Sequence, residues 1–320
     1  MARPVVDLGV RLGSLALRNP FLLASGIWGE SGASLAGAWR AGAGGVVTKS
    51  IGSVPRTGYP NPTVETYDRW GMLNAMGLPN PGIAEYPQEI AEAKAAGATV
   101  VGSIFGGDAE EFARLAGAMA STGVDALELN LSCPHAEGFG SEVGGTPEAV
   151  AEIVGAVRRT VRLPVIAKIT PNCAEPAELA VAAERAGASA VSAINTLRAL
   201  AVDVRLRRPV LAHGLGGLSG RAIKPVGLAC VWQIAGRVSI PVIGVGGITT
   251  AEDALEYLMA GASAVQVGTA VAFEGIEVFG RLVADLARLL DELGLPSAPA
   301  AVGLARASPP VPTAGVPPPG

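Results

Sequence analysis

Short, uninterrupted apolar runs alternate along this chain with longer stretches in which apolar side chains recur every three or four positions. The first pattern suits strands buried on both faces of a parallel sheet, the second amphipathic helices. A recurring punctuation separates them. Gly42-Ala43, Gly97-Ala98, Gly123-Val124, Gly187-Ala188 and Gly261-Ala262 each close an Ala-rich stretch and open a short apolar run. Glycine at such a point ends a helix in the left-handed conformation without steric cost. The runs that follow, 45–49, 99–104, 126–130, 190–194 and 264–267, predict five strands. Two more start after proline, at Pro164-Val165-Ile166 and Pro241-Val242-Ile243, and residues 20–24 bring the count to eight.

The intervening stretches carry helix signals. In Thr146-Pro147-Glu148, Thr can cap, Pro can take the first helical position and Glu favours the helix dipole. Val150, Ile153, Val154 and Val157 then share one face. Thr250 likewise caps a helix with Leu255, Leu258 and Met259 as its inner stripe. Eight strand–helix repeats predict an α/β protein of the (β/α)₈ TIM-barrel type, which typically needs ~250 residues plus insertions. An open, doubly wound sheet is disfavoured because no G-x-G-x-x-G follows the first strand. Residues 50–87, rich in Pro, Gly and Asn, predict a long insertion at the C-terminal face of the strands. The barrel is expected over residues 1–295. Residues 296–320, Pro- and Ala-rich with almost no charge, predict a disordered tail.

Composition narrows the classes. Hydrophobic residues make up 49% of the 320 and charged residues 16%, enough for a sizeable core. The net charge of -4 is spread without a basic block, which argues against nucleic acid or an anionic membrane surface. No secretory signal opens the chain, and no segment is apolar for long enough to span a bilayer. Three Cys make no disulfide framework. A cytoplasmic protein is expected. A metal site is not, because the Cys are far apart and neither His has a partner at ligand spacing.

Polar residues gather where a barrel keeps its chemistry, at the C-terminal strand ends. Those positions are Ser25, Lys49-Ser50, Ser103, Asn130, Lys168, Asn195-Thr196, Gly246-Gly247 and Gly268-Thr269. Either lysine alone is explained as well by pairing with a carboxylate such as Glu128. The set favours a ligand, because unpaired ammonium groups inside a barrel would cost several kcal/mol each, roughly. Gly-Gly and Gly-Thr after the seventh and eighth strands sit where this fold binds phosphate through bare backbone N–H groups.

Among the sulfurs, Cys133 stands out by position, just past the fourth strand in Asn130-Leu131-Ser132-Cys133-Pro134-His135. The loop continues through Gly138, Gly140, Gly144 and Gly145, a pattern expected of a mobile lid. Cys173 follows a strand tip, and Cys230 lies in a helical stretch as a small hydrophobe. His135 either meets a substrate or bonds its own loop, and His213 receives no role. A serine hydrolase is disfavoured, since G-x-S-x-G is absent.

These residues resemble the dihydroorotate dehydrogenase family through about Gly294. The stretch Asn74-Ala75-Met76-Gly77-Leu78-Pro79-Asn80-Pro81-Gly82 is similar to the family's substrate loop. With it go Thr48-Lys49-Ser50, Asn130-Leu131-Ser132-Cys133-Pro134, Ile194-Asn195-Thr196, Gly216-Gly217-Leu218-Ser219-Gly220 and Ile223-Lys224-Pro225. The resemblance implies an FMN site at Ser25, Lys49, Ser50, Ser103, Asn130, Lys168, Ile194, Gly220, Gly246, Gly247, Gly268 and Thr269. It implies a substrate site at Lys49, Asn74, Ala75, Met76, Gly77, Leu78, Asn130, Asn195 and Thr196. Cys133 as the base, rather than Ser, is similar to the soluble class 1. Asn195-Thr196-Leu197-Arg198 with Arg207-Arg208-Pro209-Val210-Leu211 resembles subclass 1B, a homodimer core that pairs with a subunit carrying FAD and a 2Fe–2S cluster and passes electrons to NAD⁺. Two positions depart from the pattern: His135 and Ser103 each stand where many relatives have Asn.

The implied reaction takes a proton from one ring carbon of dihydroorotate and a hydride from its neighbour. A thiol, with a pKa of about 8.5, suits the proton transfer better than a hydroxyl. Lys49 would lower that pKa or offset charge building on the flavin. Reduction of uracil or thymine, as by dihydropyrimidine dehydrogenases, is the alternative, because Cys-Pro-His also occurs there. A flavin-free barrel acting on sugar phosphates and a non-catalytic scaffold are weaker rivals.

Overall fold

In a computed structural model that describes residues 6–69, 71–132 and 143–307, the five punctuating glycines all lie in the left-handed region, with φ between 82° and 118°. Each reverses the chain from a helix into a strand. The strands are β1 (Phe21–Leu23), β2 (Gly45–Val47), β3 (Val100–Ile104), β4 (Ala126–Asn130), β5 (Val165–Ile169), β6 (Ala190–Ala193), β7 (Val242–Val245) and β8 (Ala264–Val267). All pair in parallel with their sequence neighbours, and β8 pairs with β1 to close the barrel. The (β/α)₈ architecture expected from the hydrophobic pattern is the one observed.

Helices cover the outside: α1 (Gly32–Arg40), α2 (Tyr86–Ala95), α3 (Ala109–Ser121), α4 (Pro147–Thr160), α5 (Pro176–Arg185), α6 (Lys224–Ala235), α7 (Ala251–Ala260), α8 (Thr269–Glu274) and α9 (Val278–Glu292). The Thr146 side chain caps α4, with Pro147 next and Val150, Ile153, Val154 and Val157 buried. Thr250 and Asp253 cap α7 reciprocally. Leu255 and Leu258 face inward on α7 as expected, but fully buried Tyr257 joins them while Met259 is only half-buried.

The strand tips are covered by a four-stranded antiparallel sheet, ordered Leu197–Ala199, Gly216–Gly220, Gly71–Asn74, Val64–Tyr67. Its last two strands belong to the expected insertion of residues 50–87. The first two come from residues 195–220 after β6, a second insertion whose short, Gly-rich strands leave no apolar run to announce them. At the opposite mouth, the hairpin Val10–Leu12 and Leu15–Leu17 buries its apolar face, with Gly13 beside Ser189 and Leu17 beside Gly45.

Residues 296–307 correct the expected tail boundary. Ser297 bridges to Asp7 and caps α10 (Ala298–Ala301), whose Ala298 and Ala301 are fully buried beside α7. α11 (Leu304–Ala307) follows. The small, uncharged side chains that read as disorder are what let this segment approach the barrel closely. Residues 308–320 lie outside the described ones. Among the described residues no helix is long and apolar enough to cross a membrane.

Candidate active site

Between the strand tips and the antiparallel sheet lies a cavity of about 1320 Å³. Ordinary small-molecule pockets span roughly 300–1,000 Å³, so this one has room for more than one ligand. Its walls combine the barrel rim with both insertions.

Hydroxyl and amide groups link the rim into one chain. Ser25 Oγ lies 3.2 Å from Ser50 Oγ, Asn130 Nδ2 donates to Ser50 Oγ at 3.2 Å, and Asn195 Nδ2 donates to Asn130 Oδ1 at 3.3 Å. Thr196 N–H donates to Asn195 Oδ1 at 2.8 Å, and Asn172 Nδ2 donates to the Thr196 carbonyl at 3.1 Å. Five strand ends thus share a single polar network. Ser132 Oγ borders the same cavity, buried and without a hydrogen-bond partner among the described residues.

Lys49 projects from the end of β2 and donates to Glu30 Oε1 at 2.5 Å; its side chain is 11% exposed while that of Glu30 is 68% exposed. The segment carrying Glu30 is held by Tyr86, whose hydroxyl donates to the Gly29 carbonyl at 3.2 Å and the Glu30 carbonyl at 3.3 Å. Burial, with Glu89 and Glu30 adding, pushes that phenol well above its ordinary pKa, so it stays a neutral donor.

Deeper in the barrel, Lys168 on β5 meets two side chains from other strands, and a third braces the first of them. Its ammonium donates to Glu128 Oε1 at 3.3 Å and to Gln266 Oε1 at 3.1 Å, and Ser192 Oγ donates to Glu128 Oε2 at 3.1 Å. Gln266 Nε2 also donates to Glu128 Oε2. The carboxylate partner weighed for Lys168 is therefore real, yet Lys168 also lines the cavity.

On the far side, the turns after β7 and β8 meet the start of α8, the short extra helix that frames phosphate sites in this fold. Gly246 and Gly247 have φ of 126° and 70°. A Cβ on Gly247 would sit 2.7 Å from Lys224 Cβ and 2.9 Å from the Gly220 carbonyl oxygen, so only glycine fits this turn. Tyr257 braces it from behind, donating to the Gly246 carbonyl at 2.8 Å, and burial raises its phenol pKa. Thr269 Oγ1 donates to Ser219 Oγ at 2.8 Å, joining the β8 turn to the second insertion.

Ser25, Lys49, Ser50, Asn130, Lys168, Ile194, Gly220, Gly246, Gly247, Gly268 and Thr269 all line the cavity, as do Asn74 through Leu78, Asn195 and Thr196. Ser103 does not. It is fully buried, and its short side chain reaches only Ser50 Oγ, at 2.9 Å, so it supports the rim from behind. Cys133, His135 and the start of the expected lid lie outside the described residues. The pattern-based reading also misses Glu30, Gln266, Asn172 and Tyr59. Gln266 is a polar residue inside an apolar strand, the same signal that marks Lys168. His213, given no role, stacks on Tyr59 with ring centroids 3.9 Å apart and lines the cavity.

Fold and site together define a (β/α)₈ barrel of the enzyme type, with a large cavity over its strand tips walled by glycine turns on one side and an amide and hydroxyl rim on the other. Over residues 7–290 the chain matches the family model described as dihydroorotate dehydrogenase. It is 50% identical over 298 residues to the protein of Pyrococcus abyssi named dihydroorotate dehydrogenase B (NAD(+)), catalytic subunit, covering 93% of this chain and 99% of that one. Proteins of the same name from Thermococcus kodakarensis and Methanocaldococcus jannaschii are 50% and 46% identical, over 94% and 90% of this chain and 99% and 95% of their own. The chain belongs to the dihydroorotate dehydrogenase family.

Proposed function

We propose that this chain oxidises dihydroorotate to orotate in pyrimidine biosynthesis, with FMN bound across the strand tips, as the cytoplasmic catalytic subunit of a two-protein assembly. The observation that carries the reading is the cavity itself. One wall is a glycine cradle and the other a continuous amide and hydroxyl rim with a lysine at its edge. The relatives described above are named for dihydroorotate, which disfavours uracil or thymine as substrate.

The residues fit FMN. Gly220, Gly246, Gly247, Gly268 and Thr269 would hold its phosphate through backbone N–H groups and a hydroxyl. Ser25, Lys49, Ser50, Asn130, Lys168 and Ile194 would hold the ring system, and the cavity volume leaves space for a second ligand beside it. FMN supplies the hydride acceptor that no side chain can provide.

The other steps fall to the protein. Asn74, Asn130, Asn195 and Thr196, with the 74–78 loop, would grip the flat substrate by its amide edges, and Lys49 would face its carboxylate. Fixing reacting groups in this way contributes several kcal/mol, roughly 7–11 in the best-aligned cases. Cys133, three residues beyond Asn130, takes the ring proton as thiolate and releases it to solvent afterwards. Ser132 offers a further hydroxyl to the substrate. A second subunit bearing FAD and a 2Fe–2S cluster would supply the route for the electrons to NAD⁺, with a homodimer of this chain at the centre of the assembly.

The test is anaerobic titration of the purified chain. Dihydroorotate should bleach the visible flavin band, whereas dihydrouracil should not. NAD⁺ should restore the colour only when the partner subunit is present. Cys133→Ala should keep the flavin and slow bleaching by about 10²–10⁴-fold, the usual size of general-base catalysis. A colourless protein, or a flavin that dihydroorotate cannot reduce, overturns the proposal.

A further inference from the structure

Glu128 is fully buried and no part of it borders the cavity, yet the cavity's inner lysine is built on it. Both of its carboxylate oxygens are engaged: Oε1 by Lys168 at 3.3 Å, Oε2 by Ser192 at 3.1 Å and by Gln266. The Gln266 amide closes the cluster, accepting from Lys168 at 3.1 Å through its oxygen while its nitrogen serves Glu128. An ammonium group has three donors. Two of those on Lys168 are committed to the barrel interior, and Lys168 itself reaches the cavity wall.

We propose that Glu128 is a positioning residue that aims the remaining N–H of Lys168 at the bound flavin and, by opposing the lysine's charge, holds down the flavin's reduction potential. The inference rests on the FMN reading above. Two-electron reduction adds negative charge to the ring system. A lone buried ammonium at the cavity wall would stabilise that charge strongly, because the barrel interior screens far less than water. A carboxylate 3.3 Å behind the ammonium cancels much of its field. Packing alone gives no reason for the pair, since apolar residues of equal volume serve a core as well as a buried ion pair does. Neither role needs Glu128 to touch the ligand.

The test is the midpoint potential of the flavin in the holoprotein, measured by equilibration with a reference dye. Glu128→Gln preserves shape and removes the charge. It should raise the potential, increasing the ratio of reduced to oxidised flavin at a fixed poise about tenfold, or about 30 mV for a two-electron couple. Glu128→Gln with Lys168→Gln should fall back below the single variant. Should Glu128→Gln fail to fold, Glu128→Asp, which withdraws the charge by one methylene, should give a smaller shift of the same sign. A flavin-bearing protein whose potential is unchanged or lowered by these Glu128 substitutions overturns this inference alone. A wild-type protein that binds no flavin overturns the FMN reading and this inference with it.

Discussion

Gly77 shows how one absent methyl group shapes the cavity wall formed by the 74–78 loop. Its φ is 72°, and a Cβ there would lie 2.7 Å from the Tyr59 backbone nitrogen and 2.8 Å from Tyr59 Cγ. Tyr59 in turn stacks on His213, the ring planes within 6° of parallel. The 74–78 loop therefore rests on two rings supplied by two different insertions. Gly77→Ala must adopt a left-handed backbone and displace both backbone and ring, a strain of about 1–3 kcal/mol. Each 1.4 kcal/mol corresponds to about tenfold in binding. We expect KM for dihydroorotate to rise roughly tenfold or more while flavin content stays at the wild-type level, because the cradle lies on other strands. Steady-state kinetics would check this, and an unaltered KM would remove the loop from substrate binding.

At the scale of elements, the cradle is only as firm as the start of α7. Asp253 Oδ2 accepts from Thr249 N at 2.9 Å, Thr249 Oγ1 at 2.9 Å and Thr250 N at 3.0 Å, while Oδ1 accepts from Lys224 Nζ at 2.7 Å. One carboxylate thus ties the turn after β7 to two helices. Burial alone would raise its pKa, but Lys224 and the Thr249 and Thr250 donors together hold it below the ordinary value. A depressed folded pKa means stabilisation that is complete above the unfolded value of about 3.9 and lost as pH falls through the folded one. Asp253→Asn should cost about 2 kcal/mol near neutral pH, the size of hydrogen bonds to a charged group. Urea unfolding should show that gap narrowing below pH 4, roughly, and flavin should dissociate more readily from the variant. Equal stability of the two proteins at neutral pH would mean the network adds nothing.

Across the whole molecule, the two ends of the described chain meet. Asp7 N–H donates to the Pro296 carbonyl at 3.2 Å and Ala298 N–H to the Asp7 carbonyl at 2.8 Å, while Gly303 N–H reaches the Leu258 carbonyl at 2.9 Å. Arg306 donates to the Trp232 carbonyl and lies over its ring, 4.7 Å from the centroid. Residues 296–307 thereby lock the N-terminal segment, α6 and α7 together at the end of the barrel away from the cavity. Ending the chain after Leu295 should lower Tm by several degrees, at roughly 2–4 °C per kcal/mol for a chain of this size. The flavin spectrum should be retained, since no contact of this segment reaches the cradle. The full-length chain is the reference, and an unshifted Tm would mean that the segment adds no stability. A calorimetric scan of both forms separates the outcomes.

The order of strands and helices, the closure of the barrel and nearly every cavity-lining residue on the strand tips follow from local rules: apolar runs, helix caps, and glycines at helix ends that tolerate positive φ. Polar residues such as Asn130 and Lys168 are legible because a polar group at the tip of an otherwise apolar strand needs something to answer its charge or hydrogen bonds. What the sequence does not determine is which partner answers. The Glu128–Lys168–Gln266–Ser192 cluster draws on four strands, with up to 138 residues between partners, and closure of the barrel brings them into contact. The same holds for Ser103, turned behind Ser50, for the Tyr59–His213 stack, and for alanines in 296–307 that local composition marks as unfolded. Local pattern fixes backbone geometry within a few residues, whereas partnership between distant side chains is decided only by where the closed sheet and its insertions place them.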